Sequence, residues 1–169
     1  EKIINGQKTI EVRKTRPKMD TPFKCYIYCT KPEEKLLAIM KDGDENYGET
    51  YHGKPVFIKT EKAPTTGILD KRQKVIGEFV CDEIISIDGA GRIPSDAARP
   101  TCLEPAELHQ YLGAATGFGW HISNLKIYDP PRELREFYAV PNEVEVALKV
   151  KPKPITRPPQ SWRYVEELL

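Results

Sequence analysis

The sequence predicts a small α+β barrel of short strands with two or three short helices at its flanks. Three observations lead there. Brief runs of apolar–polar alternation, the period-two mark of half-buried strands, recur along the chain and are punctuated by Pro and Gly. Helical periodicity is confined to a few short stretches. The P-loop and the dinucleotide-binding fingerprint are both absent, and Gly89-Ala90-Gly91 is too weak a motif to replace them. A length of 169 residues with 39% hydrophobic and 30% charged content describes one soluble domain, 1–169, with one core.

Taken in order, residues 2–5 read as the end of a helix that Gly6 stops from the left-handed position. A strand follows over residues 10–15. Ile10 and Val12 point to one face, and Thr9, Glu11 and Arg13 share the other at steps of about 7 Å. Two readings of that polar face are open: a solvated strand with a weak surface ion pair, or charges that jointly grip a polar ligand. Lys8 stands at the strand entry, and Pro17 ends the strand because proline cannot donate into a ladder. Residues 16–22 form a basic, proline-punctuated loop.

Residues 23–30 are a second strand, with Phe23, Cys25, Ile27 and Cys29 on one face and Lys24, Tyr26 and Tyr28 on the other. Those tyrosines either stack on bases or cover a neighbouring element. Residues 32–40 read as a short helix, 42–48 as a loop, 54–59 as a strand and 63–72 as another loop. The acidic run in the first loop lacks the spacing of a calcium-binding hand. Residues 74–87 read as one long strand with Val75, Gly77, Phe79 and Cys81 on one face. Glu78 falls between Ile76 and Val80 on the other. A carboxylate among apolar neighbours needs a cation or a hydrogen-bond donor, and Lys8 and Arg13 are the expected partners. The alternative is an edge glutamate that reaches solvent.

Residues 88–101 form a loop, and 103–112 a helix with Pro105 in its first turn, Leu108, Tyr111 and Leu112 as its apolar stripe and Gly113 as its stop. Gly117-Phe118-Gly119 is expected to be a flexible bend that delivers Trp120 and His121. Residues 125–128 form a strand, and Asp129-Pro130-Pro131 caps a helix over 132–137. Residues 139–157 are a long excursion with a β stretch at 144–150, and 158–165 return as the closing strand.

The net charge of +1 conceals an uneven distribution. Residues 1–24 carry +4 and residues 149–163 carry +5, which leaves −8 for the rest. If the two ends meet, they make a basic face that attracts phosphate backbones, whereas separate basic termini would only aid solubility. Cys25, Cys29, Cys81 and Cys102 include no Cys-x-x-Cys pair, and the histidine nearest to Cys25 in sequence is His52. They read as structural cysteines with no metal and no cofactor, in a reduced cytoplasmic setting. No run of about 18 apolar residues exists, so no membrane-spanning helix is expected.

Ile3, Gly6, Lys8, Thr9, Glu11, Arg13 and Lys14 together resemble the opening signature of the ASCH domain family, within the PUA-like superfamily of small β-barrels. Three later segments extend the resemblance over nearly the whole chain: 75–82, 119–125 and 158–164. The likeness is greatest to the prophage- and bacteria-associated branch. It implies a PUA-like barrel whose cleft binds RNA or a modified nucleotide. Members of that family place a strand and the start of a helix before the point matched by Glu1, which implies a preceding segment.

The candidate binding residues are Lys8, Thr9, Glu11, Arg13, Lys14, Trp120, Gln160, Ser161 and Trp162. They combine cations for phosphate, amide and hydroxyl groups for base edges, and indoles for stacking, the mixture used by readers of single-stranded RNA. The two tryptophans have a second reading as core packing. Some ASCH relatives are hydrolases of acetylated cytidine or of RNA. Deacylase-like members use a lysine, a hydroxyl residue and a glutamate. Lys8 matches the lysine, but Glu11 stands at the hydroxyl position and Glu104 and Glu107 are only loose matches to the glutamate. A Lys8–Glu11–Glu78 cluster would serve RNA cleavage more readily than deacylation. A protein-interaction module with a basic face is the third reading, and the sequence leaves the oligomeric state open.

Overall fold

The structure is a computed structural model that describes residues 2–30, 35–38, 57–60, 73–88 and 98–167. It is a mixed α+β fold, mostly strand with a few short helices. One antiparallel sheet joins β1 (Ile10–Arg13), β7 (Gly117–His121) and β6 (Ile84–Ile87), in the order β1-β7-β6. A second joins β2 (Phe23–Tyr28), β5 (Lys74–Cys81) and β8 (Ser123–Glu133), in the order β2-β5-β8. Two smaller pairs are β3 (Lys35–Ala38) with β4 (Phe57–Thr60), and β9 (Phe137–Ala139) with β10 (Val165–Glu167). Both three-stranded sheets are open among the described residues.

The two sheets share a core. Phe23, Phe79 and Cys81 from the second sheet pack with Trp120 of the first and with Ile122, and the rings of Phe23 and Trp120 meet edge to face at 5.7 Å. Such aromatic contacts contribute about 1 kcal/mol beyond the area they bury. The other face of the β1 sheet carries Val12 and Ile87 against Leu108 and Leu112 of α2 (Pro105–Leu112). A shorter helix, α1 (Ala98–Thr101), precedes it inside the expected loop, and Thr9 N–H donates to the Pro100 carbonyl at 2.8 Å. The other face of the β2 sheet is covered by Phe137 and Ile155 around Val75.

Several expectations are corrected. The long strand over 74–87 is two strands in different sheets. Asp82 and Glu83 turn the chain between them, and the Cys81 thiol donates to the Glu83 carbonyl at 3.3 Å. Residues 117–119 are strand rather than a bend: Gly117 opens β7 and Gly119 is its middle residue. A Cβ on Gly119 would stand 2.8 Å from both Ile10 Cγ2 and Ile85 Cγ1, so neighbouring side chains occupy the space the glycine leaves. Residues 35–38, expected within a helix, form β3; the rest of 32–40 and the loops at 42–48 and 63–72 lie outside the described residues.

Toward the C-terminus, β8 runs on through Pro130 and Pro131 to Glu133, followed by one 3₁₀ turn, Leu134–Glu136, where a helix was expected. The stretch expected as β at 144–150 opens instead with helix α3 (Glu143–Ala147). The Asn142 side chain accepts from the Glu145 N–H, and the Glu145 side chain answers to the Asn142 N–H. The closing segment is irregular until β10 begins at Val165. At the other end, residues 2–6 form a hydrogen-bonded turn closed by Gly6 at φ +71°. No helix among the described residues is long and apolar enough to cross a membrane.

Candidate functional site

Strand β1 sets the geometry. Glu11 lies opposite Trp120 and Arg13 opposite Phe118 in the antiparallel register with β7. The charged face of β1 is therefore the face that carries the core indole. Glu11 holds two cations, with Lys8 Nζ 2.7 Å from Oε2 and Arg13 Nη2 2.9 Å from Oε1. The three side chains are only 16–29% exposed, so the trio is a partly desolvated cluster of net charge +1. Each Glu11 oxygen already has a cation. Arg13 spends one of its five N–H groups in the Glu11 contact, which leaves others to donate.

The opposite wall comes from residues 158–164. The Trp162 indole N–H donates to Thr15 Oγ1 at 3.0 Å, and the Lys18 N–H donates to the Tyr164 hydroxyl oxygen at 2.8 Å. Trp162 packs against Trp120 with ring centroids 5.7 Å apart and against Tyr164 at 5.3 Å. The two ends of the chain thus meet. Between them lies a cavity of about 570 Å³ lined by Glu11, Arg13, Trp120, Gln160, Ser161 and Trp162, with Phe23 and Phe79 on its apolar side. Cys25 also lines it; burial pushes that thiol up to about 12, with a further rise from Cys81 and an opposing pull from Arg13.

The remaining expected site residues are placed elsewhere. Lys8 is not part of the cavity lining and reaches it through Glu11. Thr9 serves the backbone: its carbonyl accepts from the Ile122 N–H at 2.8 Å, besides its donation to Pro100. Lys14 points to the helix side, with Nζ 5.1 Å from the centre of the Tyr111 ring. Glu78 does not join Lys8 or Arg13. It sits in the second sheet opposite Tyr26 and Lys126, accepts from the Tyr128 hydroxyl, and has Lys24 Nζ at 3.6 Å. The physical reason is that β5 and β1 belong to different sheets. Burial, then the bond to Glu78, raises the Tyr128 pKa. Trp120 is a core residue at 6% exposure, as its packing reading expects, and its ring also lines the cavity.

Sequence reasoning missed Thr15, Lys18 and Tyr164, which tie the C-terminal segment to the N-terminal loop. The available signal was the spacing of Trp162 and Tyr164, two aromatics placed two residues apart. Among the described residues no group of three or more His, Cys, Asp or Glu is placed to hold a metal ion. Comparison with models of protein families, with characterised proteins and with solved structures finds no match to the chain.

Proposed function

We propose that the chain is an ASCH-type domain of PUA-like kind that binds single-stranded RNA or a nucleotide in the cavity between β1 and residues 158–164. The carrying observation is that Glu11 and Arg13 from one end and Gln160, Ser161 and Trp162 from the other line one cavity. Their sequence separation is about 150 residues, and the two segments are the basic ones. In this reading Arg13 meets a phosphate, Gln160 and Ser161 meet base edges, and Trp162 supplies a stacking face. Glu11 positions Arg13 rather than touching the ligand, because both of its oxygens are engaged. Glu78 is held by Tyr128 and Lys24, so it does not join Lys8 and Glu11 in a proton-moving cluster.

The test is fluorescence anisotropy of a labelled single-stranded RNA of about ten nucleotides, competed with unlabelled RNA and with heparin at matched charge. Preference for RNA supports the reading. Equal displacement by both polyanions points instead to a surface that responds to charge alone.

A further inference from the structure

Trp120 holds an unanswered donor. Its Nε1 is sealed from solvent and has no hydrogen-bond partner among the described residues. Buried donors of that kind are rare in folded proteins because leaving one unpaired is costly. The neighbouring indole differs: the Trp162 N–H is satisfied by Thr15. Trp162 packs on Trp120, and the two rings line the same cavity beside Arg13.

Trp162 is carried by an arm held more by the packing of its ring than by backbone hydrogen bonds. Residues 158–164 belong to no strand or helix and take no part in the turn and loop backbone hydrogen bonds of the described residues. Among the described residues the hydrogen bonds that tie them are two exposed latches, Trp162 to Thr15 and Lys18 to Tyr164. Exposed neutral hydrogen bonds contribute little net, because water replaces them. The arm can therefore lift without breaking a strand pairing, and the main cost is exposure of the partly buried Trp162 ring.

We infer that Trp162 gates the Trp120 donor: when the arm lifts, an oxygen of the ligand, carbonyl or oxyanion, takes the Trp120 Nε1–H while the ligand's negative charge lies against Arg13. The trio of Lys8, Glu11 and Arg13 carries one net positive charge, which suits a singly charged unit such as a phosphodiester. This rests on the reading of the cavity as a nucleotide site, and the experiment separates the two.

The chain contains two tryptophans, so ¹⁵N-indole labelling gives two side-chain signals. Without ligand, Thr15→Val and Thr15→Ala are each expected to speed hydrogen exchange of the Trp120 indole roughly fivefold, the equivalent of one exposed hydrogen bond. The amides of β7 should exchange as before. Unchanged Trp120 exchange in both variants overturns the gate. With ligand, a uridine hexanucleotide is titrated beside an abasic phosphodiester of the same length. A downfield move of the Trp120 signal with both probes assigns a phosphate oxygen, and a move with the uridine probe alone assigns a base carbonyl. Saturation by RNA with the Trp120 signal unmoved overturns the inference. Failure of RNA to bind, with Thr15 variants still accelerating exchange, sinks the nucleotide reading and leaves the gate standing.

Discussion

Glu11 and Trp120 stand directly opposite each other across β1 and β7, so a carboxylate that holds two cations shares a sheet face with the indole at the centre of the core. A charged residue in that position is tolerated because its oxygens are paired. It also keeps Arg13 at the wall of the cavity.

Replacing that carboxylate separates stability from binding. Glu11→Gln leaves Lys8 and Arg13 as half-shielded like charges. The expected loss is about 1–2 kcal/mol in urea unfolding, discounted for solvent screening at 16–29% exposure. RNA affinity of the folded variant should hold or rise, since the cavity gains positive charge. A clear fall in affinity with the fold intact would contradict a purely electrostatic gain and mean that Glu11 is needed at the site, as a ligand contact or as the anchor of Arg13.

Gly77 tests how closely β5 and β8 approach. A Cβ there would stand 2.5 Å from the Lys126 carbonyl oxygen, a backbone atom that cannot swing aside. Gly77→Ala is expected to destabilise the protein by roughly 1–3 kcal/mol, the range for forced overpacking. Chemical denaturation checks it. A variant as stable as the parent would mean that the strands lie further apart than described.

The strand alternation was legible in Ile10–Arg13, where buried and half-buried residues alternate, and in Phe23–Tyr28, whose two faces pack on different clusters. The break at Asp82 and Glu83 was not: two consecutive acidic residues interrupt the alternation there, but such an interruption does not reveal that the chain changes sheets. The pairing of Glu11 with Arg13 was one of two readings that same-face spacing left open, whereas the partner of Glu78 was misassigned to Lys8 and Arg13, since it depends on which strands become neighbours. The helix at α3 is set by the Asn142–Glu145 capping box, a local signal outweighed in the sequence by the valines at 144, 146 and 150. Lys14 reads as a phosphate ligand by charge alone; only the position of α2 shows it over Tyr111.

Two of the cysteines should be inert. Burial pushes the Cys25 thiol up to about 12 and the Cys81 thiol up to about 11, so thiolate is scarce at neutral pH. Iodoacetamide at pH 7.5 followed by mass mapping should leave both unmodified in the native protein and alkylate them after unfolding. Native-state alkylation of Cys81, fully buried in the core, would contradict the packing described here.

The Asp82–His121 contact gives a pH signature. The two side chains meet at 2.6 Å, and the hydrogen bond from His121 is the main cause of an Asp82 pKa below the ordinary carboxylate value of 3.8. A carboxyl depressed in the folded state adds stability above its unfolded pKa, and that contribution is lost as pH falls through the folded value. His121→Ala should therefore lower stability at pH 5–7 and leave it unchanged at about pH 2. Acid titration followed by far-ultraviolet circular dichroism, with urea unfolding at each pH, checks the sign. An equal loss at pH 2 would assign the effect to packing.

Arg13 carries the central claim, and the two cavity tryptophans report on it directly. Quenching of intrinsic tryptophan fluorescence by a short single-stranded RNA should saturate in the parent protein. In Arg13→Ala the affinity should fall about tenfold or more, and the slope of log affinity against log salt should drop by about one phosphate contact. Unchanged affinity and unchanged salt slope in a folded Arg13→Ala protein would contradict the account.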